Sequence, residues 1–355
     1  MAAVRAGIVG FGLAGRVFHA PMIDAVDGLE LAGVVERSKR EAETRYPGIR
    51  TYASLEAMLE DSTLELIVIA TPNEAHAELA KRALAASRNV VVDKPVGNSS
   101  DEIAAMMTAA RTSGRNLIPY HNRRFDGDFM TLRELLREKK LGDVAHFEST
   151  FDRWRPVPKP EVWRDAGGPG TGTLLDLGTH LVDQIIQLFG LPEAVSGEVL
   201  IERAHARAVD SFTVRMHYDG LIATASANCL SAQPRPRYRV RGDKGDFVKW
   251  GLDPQEERLR ANGSQVTNDL GVETESAWGV LATDEDGRIE KRRVPTLAGD
   301  YRRYYAGVRD ALLGKASLPV TALEAWQVAR VLEMAEESTR KRGWVECDWA
   351  TEPAV

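Results

Sequence analysis

Two rhythms of apolar residues share the first third of the chain. Short β-branched runs occupy Arg5–Gly10, Leu31–Glu36, Leu64–Ala70, Asn89–Asp93 and Asn116–Tyr120. Between them, Ala-, Leu- and Glu-rich stretches such as Glu74–Ser87 and Asp101–Ser113 repeat their apolar positions at helical spacing. Apolar strands alternating with amphipathic helices predict a doubly wound parallel sheet covered on both faces, an α/β arrangement. Helix starts carry local marks: Thr71-Pro72-Asn73 precedes Glu74, and Ser99-Ser100-Asp101-Glu102 opens the next periodic run.

Past residue 121 the rhythm changes. A helix is predicted at Phe125–Lys139 and a strand at Val144–Phe151. The glycine-rich stretch Gly167–Gly172 then feeds a strongly apolar helix from Thr173 to Phe189. Strands follow at Ser211–Tyr218, Leu221–Asn228, Arg237–Arg241 and Asp246–Trp250, joined by short turns, which predicts a mixed, largely antiparallel open sheet. Asp253–Ala277 reads as a long polar excursion, and helices at Ala298–Leu313 and Thr321–Arg342 close the chain. The expected division is an α/β unit over residues 1–121 and an α+β unit over 122–355, the last helix packing back on the first unit.

Composition narrows the picture. Lys plus Arg number 46 and Asp plus Glu 52, a formal charge of −6, so neither nucleic acid nor an anionic membrane is an expected partner. At 43% hydrophobic and 28% charged residues the chain belongs with ordered globular proteins. Cys229 and Cys347 are too few for a disulfide framework or a thiolate zinc site. No apolar run approaches the roughly 18 residues of a spanning helix. The start, Ala6–Ala14, is interrupted by glycines and closes on Arg16, unlike a signal peptide. A soluble, cytoplasmic protein is expected.

Candidate chemistry begins with Gly10-Phe11-Gly12-Leu13-Ala14-Gly15, which follows the first strand and opens a helix. The first glycine permits a tight turn, the second lets a pyrophosphate approach the backbone, and the third lets helix pack on strand. Glu36 ends the second strand, where a carboxylate accepts hydrogen bonds from the adenosine ribose and repels a 2′-phosphate. That points to NAD; Arg37, Ser38 and Lys39 directly after it could instead cradle the extra phosphate of NADP. Asp93-Lys94-Pro95 lies at a strand's carboxyl end, where open α/β sheets place ligands; a plain surface lysine is the alternative. Asp176 and His180 sit four residues apart on an apolar helix, about 40° apart on one face of an α-helix, where burial is costly unless they are paired or functional. Together they lack a third ligand for a metal, and none is expected.

The glycine turn, the Asp93-Lys94-Pro95 triplet and the glycine-rich run into Asp176-x-x-x-His180 occur in the order that marks the Gfo/Idh/MocA family of nicotinamide-dependent sugar and polyol dehydrogenases. The chain resembles that family over essentially its whole length. It departs at Asp93, where the family has Glu, and the charge is kept. Asn122-Arg123-Arg124-Phe125-Asp126-Gly127-Asp128-Phe129, Arg153-Trp154-Arg155-Pro156, Trp163-Arg164 and Asp253-Pro254-Gln255-Glu256 are similar to its scyllo-inositol dehydrogenase branch.

The resemblance implies His180 as general base, Lys94 as hydrogen-bond donor to the reacting oxygen, and Asp176 as the group that binds a neighbouring hydroxyl and positions them. It implies that Thr71, Pro72, Asn73 and His76 run along the nicotinamide ribose, with a helix-face histidine as the plain alternative for His76. Arg153, Trp154, Arg155, Trp163 and Arg164 concentrate planar donors and aromatic faces, the composition of a polyol or sugar site, with solvated arginines as the plain alternative. Tyr120, His121 and Asn122 face the same region. The expected activity is NAD(P)-dependent oxidation of a secondary hydroxyl in an inositol, cyclic polyol or sugar, in a homodimer or homotetramer. An NAD-dependent glycosidase of the same family and a catalytically silent cofactor-binding regulator are the alternatives.

Overall fold

A computed structural model describes residues 3–36 and 41–353. The first sheet has six strands: β1 (Val4–Val9), β2 (Leu29–Val35), β3 (Arg50–Tyr52), β4 (Leu66–Ile69), β5 (Asn89–Val92) and β6 (Leu117–Pro119). They pair in parallel in the order β3-β2-β1-β4-β5-β6. The order reverses between β1 and β4, and the crevice beyond their carboxyl ends is the ligand position of such sheets.

Both faces of this sheet are covered, which is why its strands read as unbroken apolar runs. On one side Met58, Ala80, Leu84, Ile103 and Met106 form a buried layer from the intervening helices. The helix Ser100–Ser113 starts where its sequence predicts: the Ser99 side chain accepts from the Glu102 N–H, and Gly114 ends the helix at φ +61°. The other side is closed by residues far along the chain. Tyr301, Tyr304 and Tyr305 are fully buried there, each contributing on the order of 2–3 kcal/mol. Leu259 and Leu270 join them, so part of the 253–277 stretch packs on the first sheet and carries a helix at Gln255–Ala261.

The second sheet has nine strands: β7 (Val144–Thr150), β8 (Ala194–Leu200), β9 (Ser211–Tyr218), β10 (Leu221–Asn228), β11 (Tyr238–Gly242), β12 (Gly245–Lys249), β13 (Gly279–Glu285), β14 (Arg288–Val294) and β15 (Val345–Glu346). Their order is β14-β13-β12-β11-β7-β10-β9-β8-β15, with only the β7–β10 pair parallel. Its inner face buries Phe147, Phe212, Val214, Met216, Tyr238 and Phe247 against the helix Thr179–Phe189. The outer face stays open, with Ile222 and Ile289 exposed.

The long helix Ala322–Lys341 joins the two layers. Thr321 and Glu324 close a reciprocal capping box at its start. Ala325 and Trp326 pack in the first sheet's cluster, while Val328, Val331, Leu332 and Ala335 pack in the second's. Among the described residues no helix is long and apolar enough to cross a membrane.

Candidate active site

The glycine turn fits its predicted purpose position by position. Gly10 has φ +100°, and a Cβ there would stand 2.6 Å from the Ala70 carbonyl. A Cβ on Gly15 would fall 2.2 Å from the Gly10 carbonyl, so helix and strand touch through it. A Cβ on Gly12 would meet nothing within 4 Å. That open space, with the first N–H groups of the helix beside it, accommodates a pyrophosphate. Gly12, Leu13 and Ala14 line a cleft of about 460 Å³ between the two sheets. Phe11 does not line it; its ring packs edge-on against Tyr46, 6.4 Å away, inside the core.

Glu36 follows β2 as expected, and its Oε2 also accepts from the Ala42 N–H at 3.1 Å, which anchors the start of the helix Glu41–Arg45. Arg37, Ser38 and Lys39 lie outside the described residues. Thr71, Pro72 and Asn73 line the cleft after β4, and Asn73 Nδ2 donates to the Gly170 carbonyl across it at 2.8 Å. His76 corrects the expectation drawn for it. Its buried ring spans two backbone carbonyls, Pro95 at 2.8 Å and Thr71 at 2.9 Å, and so ties the two loops together behind the cleft wall.

At the end of β5, Asp93 Oδ1 accepts from the Lys94 N–H at 2.8 Å, and the Lys94–Pro95 peptide is cis. Lys94 Nζ reaches the apolar helix of the other layer. It donates to Asp176 Oδ1 at 2.8 Å and to the Asp176 carbonyl at 3.1 Å. The other carboxylate oxygen, Oδ2, accepts from Arg164 Nε at 2.6 Å and from an Arg153 guanidinium nitrogen at 3.3 Å. Asp176 is 2% exposed, and burial alone would raise its pKa. The Lys94 ammonium and the Arg164 and Arg153 guanidiniums outweigh burial and hold the carboxyl well below the usual range.

His180 is 4% exposed and lines the same cleft. Burial pushes its pKa well below the ordinary value, and the Lys94 and Arg123 charges push it further, so the ring stands neutral with a free lone pair. The predicted uniform α-helix differs in one respect. Leu174–Gly178 forms a π-helical turn before the α-helix Thr179–Phe189. The wider turn replaces the α-helical offset between Asp176 and His180 inferred from spacing, and such turns recur at functional sites.

Arg153 and Arg164 face the cleft, each stacked on an aromatic ring at 4.7 Å, Phe151 and Trp163 respectively. Trp154 corrects the sequence expectation: it is 59% exposed and does not line the cleft. The N–H groups of Arg153 and Arg155 bond the Asn228 and Cys229 carbonyls, which keeps this segment extended, so successive side chains point opposite ways. Arg155 likewise lies outside the cleft and lines a neighbouring cavity of about 890 Å³. Tyr120 lines the cleft with its hydroxyl donating to the Phe18 carbonyl at 2.9 Å. Asn122 lines it too, whereas His121 turns its side chain the other way, into a cavity behind the cleft.

Phe18, Val162 and Arg260 line the cleft without having been singled out from sequence, and Arg123 and Glu256 had been noted only within the branch-like strings. Arg123 donates to Glu256 at 2.5 Å, and Arg260 donates to the same carboxylate at 2.8 Å. The signal was the i,i+4 acid–base spacing of Glu256 and Arg260, masked because the segment reads as a polar loop.

A doubly wound sheet with a glycine-turn helix, whose Lys94 meets Asp176 and His180 of a second layer, defines a nicotinamide-dependent oxidoreductase. Residues 4–121 match the oxidoreductase family with an NAD-binding Rossmann fold, and residues 129–248 match the GFO/IDH/MocA C-terminal domain. The chain belongs to the GFO/IDH/MocA family. It is 39% identical to the uncharacterized oxidoreductase YdgJ of Escherichia coli (strain K12), over 96% of this chain and 97% of that one. It is 33% identical to the scyllo-inositol 2-dehydrogenase (NADP(+)) IolW of Bacillus subtilis (strain 168), over 96% and 94% of the two chains. Among solved structures, the YPO2259 protein of Yersinia pestis superposes with a TM-score of 0.93 at 38% identity, covering 98% of each chain.

Proposed function

We propose that this protein is an NAD(P)-dependent dehydrogenase that oxidises a secondary hydroxyl of an inositol, a related cyclic polyol or a sugar. One observation supports the reading above the others: Lys94 of the first layer and Asp176 of the second are joined at 2.8 Å in a cleft that His180 and Gly12 also line. When bound, the nicotinamide supplies hydride acceptance and donation. His180, neutral and buried, takes the hydroxyl proton as general base. Lys94 donates to the reacting oxygen and stabilises the negative charge that grows on it. Asp176 keeps the ammonium aimed, and its hold on Arg153 and Arg164 arrays planar donors for the neighbouring hydroxyls of a polyol ring.

NAD is the preferred cofactor on this reading, because the Glu36 carboxylate repels a 2′-phosphate. The NADP(+) named for IolW makes the opposite preference the informative outcome. Glu36→Ser is expected to raise kcat/KM with NADP relative to NAD; an unchanged ratio would remove Glu36 from cofactor selection. The open outer face of the nine-stranded sheet supports a homodimer or homotetramer, checked by sedimentation.

The deciding experiment is a panel of inositol isomers and aldoses with NAD and NADP, followed at 340 nm. Stoichiometric reduced cofactor from a cyclic polyol or aldose is the expected result. Sugar release from a glycoside with no net reduced cofactor would identify the glycosidase chemistry instead. No turnover, with cofactor still bound, would identify a silent cofactor-binding protein.

A further inference from the structure

Two segments that line the cleft turn alternate residues away from it. Tyr120 and Asn122 point into the cleft and His121 points behind it; His180 points in and its neighbour Thr179 points behind. The rear cavity into which His121 and Thr179 face measures about 60 Å³ and is lined also by Asn98, Glu333 and Glu336. At roughly 10–15 Å³ per water, that is room for about four waters.

Unpaired buried atoms occur on the wall of this cavity, at His121 and Asn98, and on the wall of the cleft, at His180. His121 is 1% exposed, and among the described residues neither of its ring nitrogens has a hydrogen-bond partner. Asn98 Oδ1 and His180 Nδ1 are buried and unpartnered in the same way. Buried polar atoms are nearly always satisfied by protein or by ordered water, so such a group marks a place where water or a proton comes and goes.

On the cleft side of His180 the charged side chains are mostly cations; besides Asp176 and Glu256 only Asp93 among the described residues adds a carboxylate to the lining, and it lies 3.8 Å from the His19 ring. Lys94, Arg123, Arg153 and Arg164 are cations. Asp176 spends both oxygens on three of them. Glu256 is bonded to Arg123 and Arg260, whose charges outweigh burial and lower its pKa. His121 is faced by the Asp183–Arg124–Glu324 ion-pair group and more distantly by Lys94, and it keeps both nitrogens free.

We propose that His121 and the water-sized cavity behind it form a route by which the proton taken by His180 leaves the site. The proposal rests on the dehydrogenase reading above. In oxidation the substrate O–H bond breaks and its proton goes to His180 Nε2. The carbinol C–H electron pair leaves as hydride to the nicotinamide, and the C=O bond forms. The imidazolium then gives up its Nδ1 proton to His121 or to water bonded to it, and once product has left, exchange of the Nε2 proton for one on Nδ1 restores the base for the next turnover. From there the proton passes along the cavity to Glu336 at its exposed end, past Glu333, whose carboxylate is held by Ser100 and Arg330. One proton is released per reduced cofactor, and reduction runs the route backwards.

His121→Phe keeps the ring's bulk and removes both nitrogens. Its kcat is expected to fall at least about tenfold, with KM and NADH affinity unchanged and part of the rate restored by added imidazole. In stopped flow with a pH indicator, proton release should lag behind the 340 nm signal, whereas in the wild type the two coincide. Ala329→Leu, which narrows the cavity from its wall without touching the cleft, should give a weaker lag of the same kind. Wild-type turnover with coincident signals in both variants would overturn the route. So would a loss in His121→Phe that imidazole does not relieve and that raises KM. A wild-type protein that forms no reduced cofactor from any polyol would sink the dehydrogenase reading itself, and the route with it.

Discussion

Two buried acids, Asp176 and Asp253, behave oppositely. Asp176 at 2% exposure and Asp253 at 5% are equally removed from water. Asp176 is met by Lys94, Arg153 and Arg164, and its carboxyl sits well below the ordinary range. Asp253 has no cation beside it among its contacts: it accepts from the Gly127 and Gln255 backbone N–H groups and from the Gln255 side chain, with Asp128 as a like-charged neighbour. Burial and that neighbour push its pKa up to about 6. Burial therefore does not decide the charge of an acid; the ions placed beside it do. The first holds Lys94 in place across two layers. The second stitches the start of the helix Gly127–Arg137 to the 253 loop.

The largest test of that contrast is on the first acid and the site around it. Asp176→Asn, Lys94→Ala and His180→Ala are each expected to cut kcat at least about a hundredfold while NADH still binds, as followed by fluorescence titration. Near-wild-type turnover in any one of them would remove that residue from the chemistry.

The second acid should respond in stability, with a definite sign. Asp253 has a folded pKa of about 6 against 3.8 as its ordinary value. Between those values the folded chain binds the extra proton, so this residue's contribution is fully present below the lower value and is lost as pH rises through the upper one. From pH 5 to pH 8 the loss is on the order of 1 kcal/mol. Asp253→Asn should remove that slope in urea denaturation while kcat changes little. An unchanged slope would make the two acids alike after all. Asp176 works the other way: its stabilisation is lost on acidification, below the ordinary carboxylate range.

The smallest effect is expected away from both acids. Trp154→Ala should alter kcat/KM by less than about twofold, because its ring is in solvent. A large loss would return it to the substrate site.

Five strands of the first sheet could be read from the chain because they are buried on both faces and the turn after β1 needs glycine; β3 was missed, being three residues long with Arg50 and Thr51 exposed. β8, β13 and β14 escaped notice for the opposite reason. β14, Arg288–Val294, carries Glu290, Lys291, Arg292 and Arg293 and is exposed on both faces, held by its ladder to β13 rather than by any apolar pattern. The helix Gln255–Ala261 was read as loop because its buried stripe is little more than Gln255 and Leu259.

Local order settled the glycine turn, the helix caps and the presence of Lys94, Asp176 and His180 on the right elements, since each depends on backbone sterics or on neighbours within a few residues. Distance along the chain decided the rest. Lys94 and Asp176 are 82 positions apart, and only the packing of one layer on the other brings their charges to 2.8 Å. The same packing turned His76 and His121 away from the cleft, because a side chain's direction follows from the strand or loop that carries it and from what is stacked behind it.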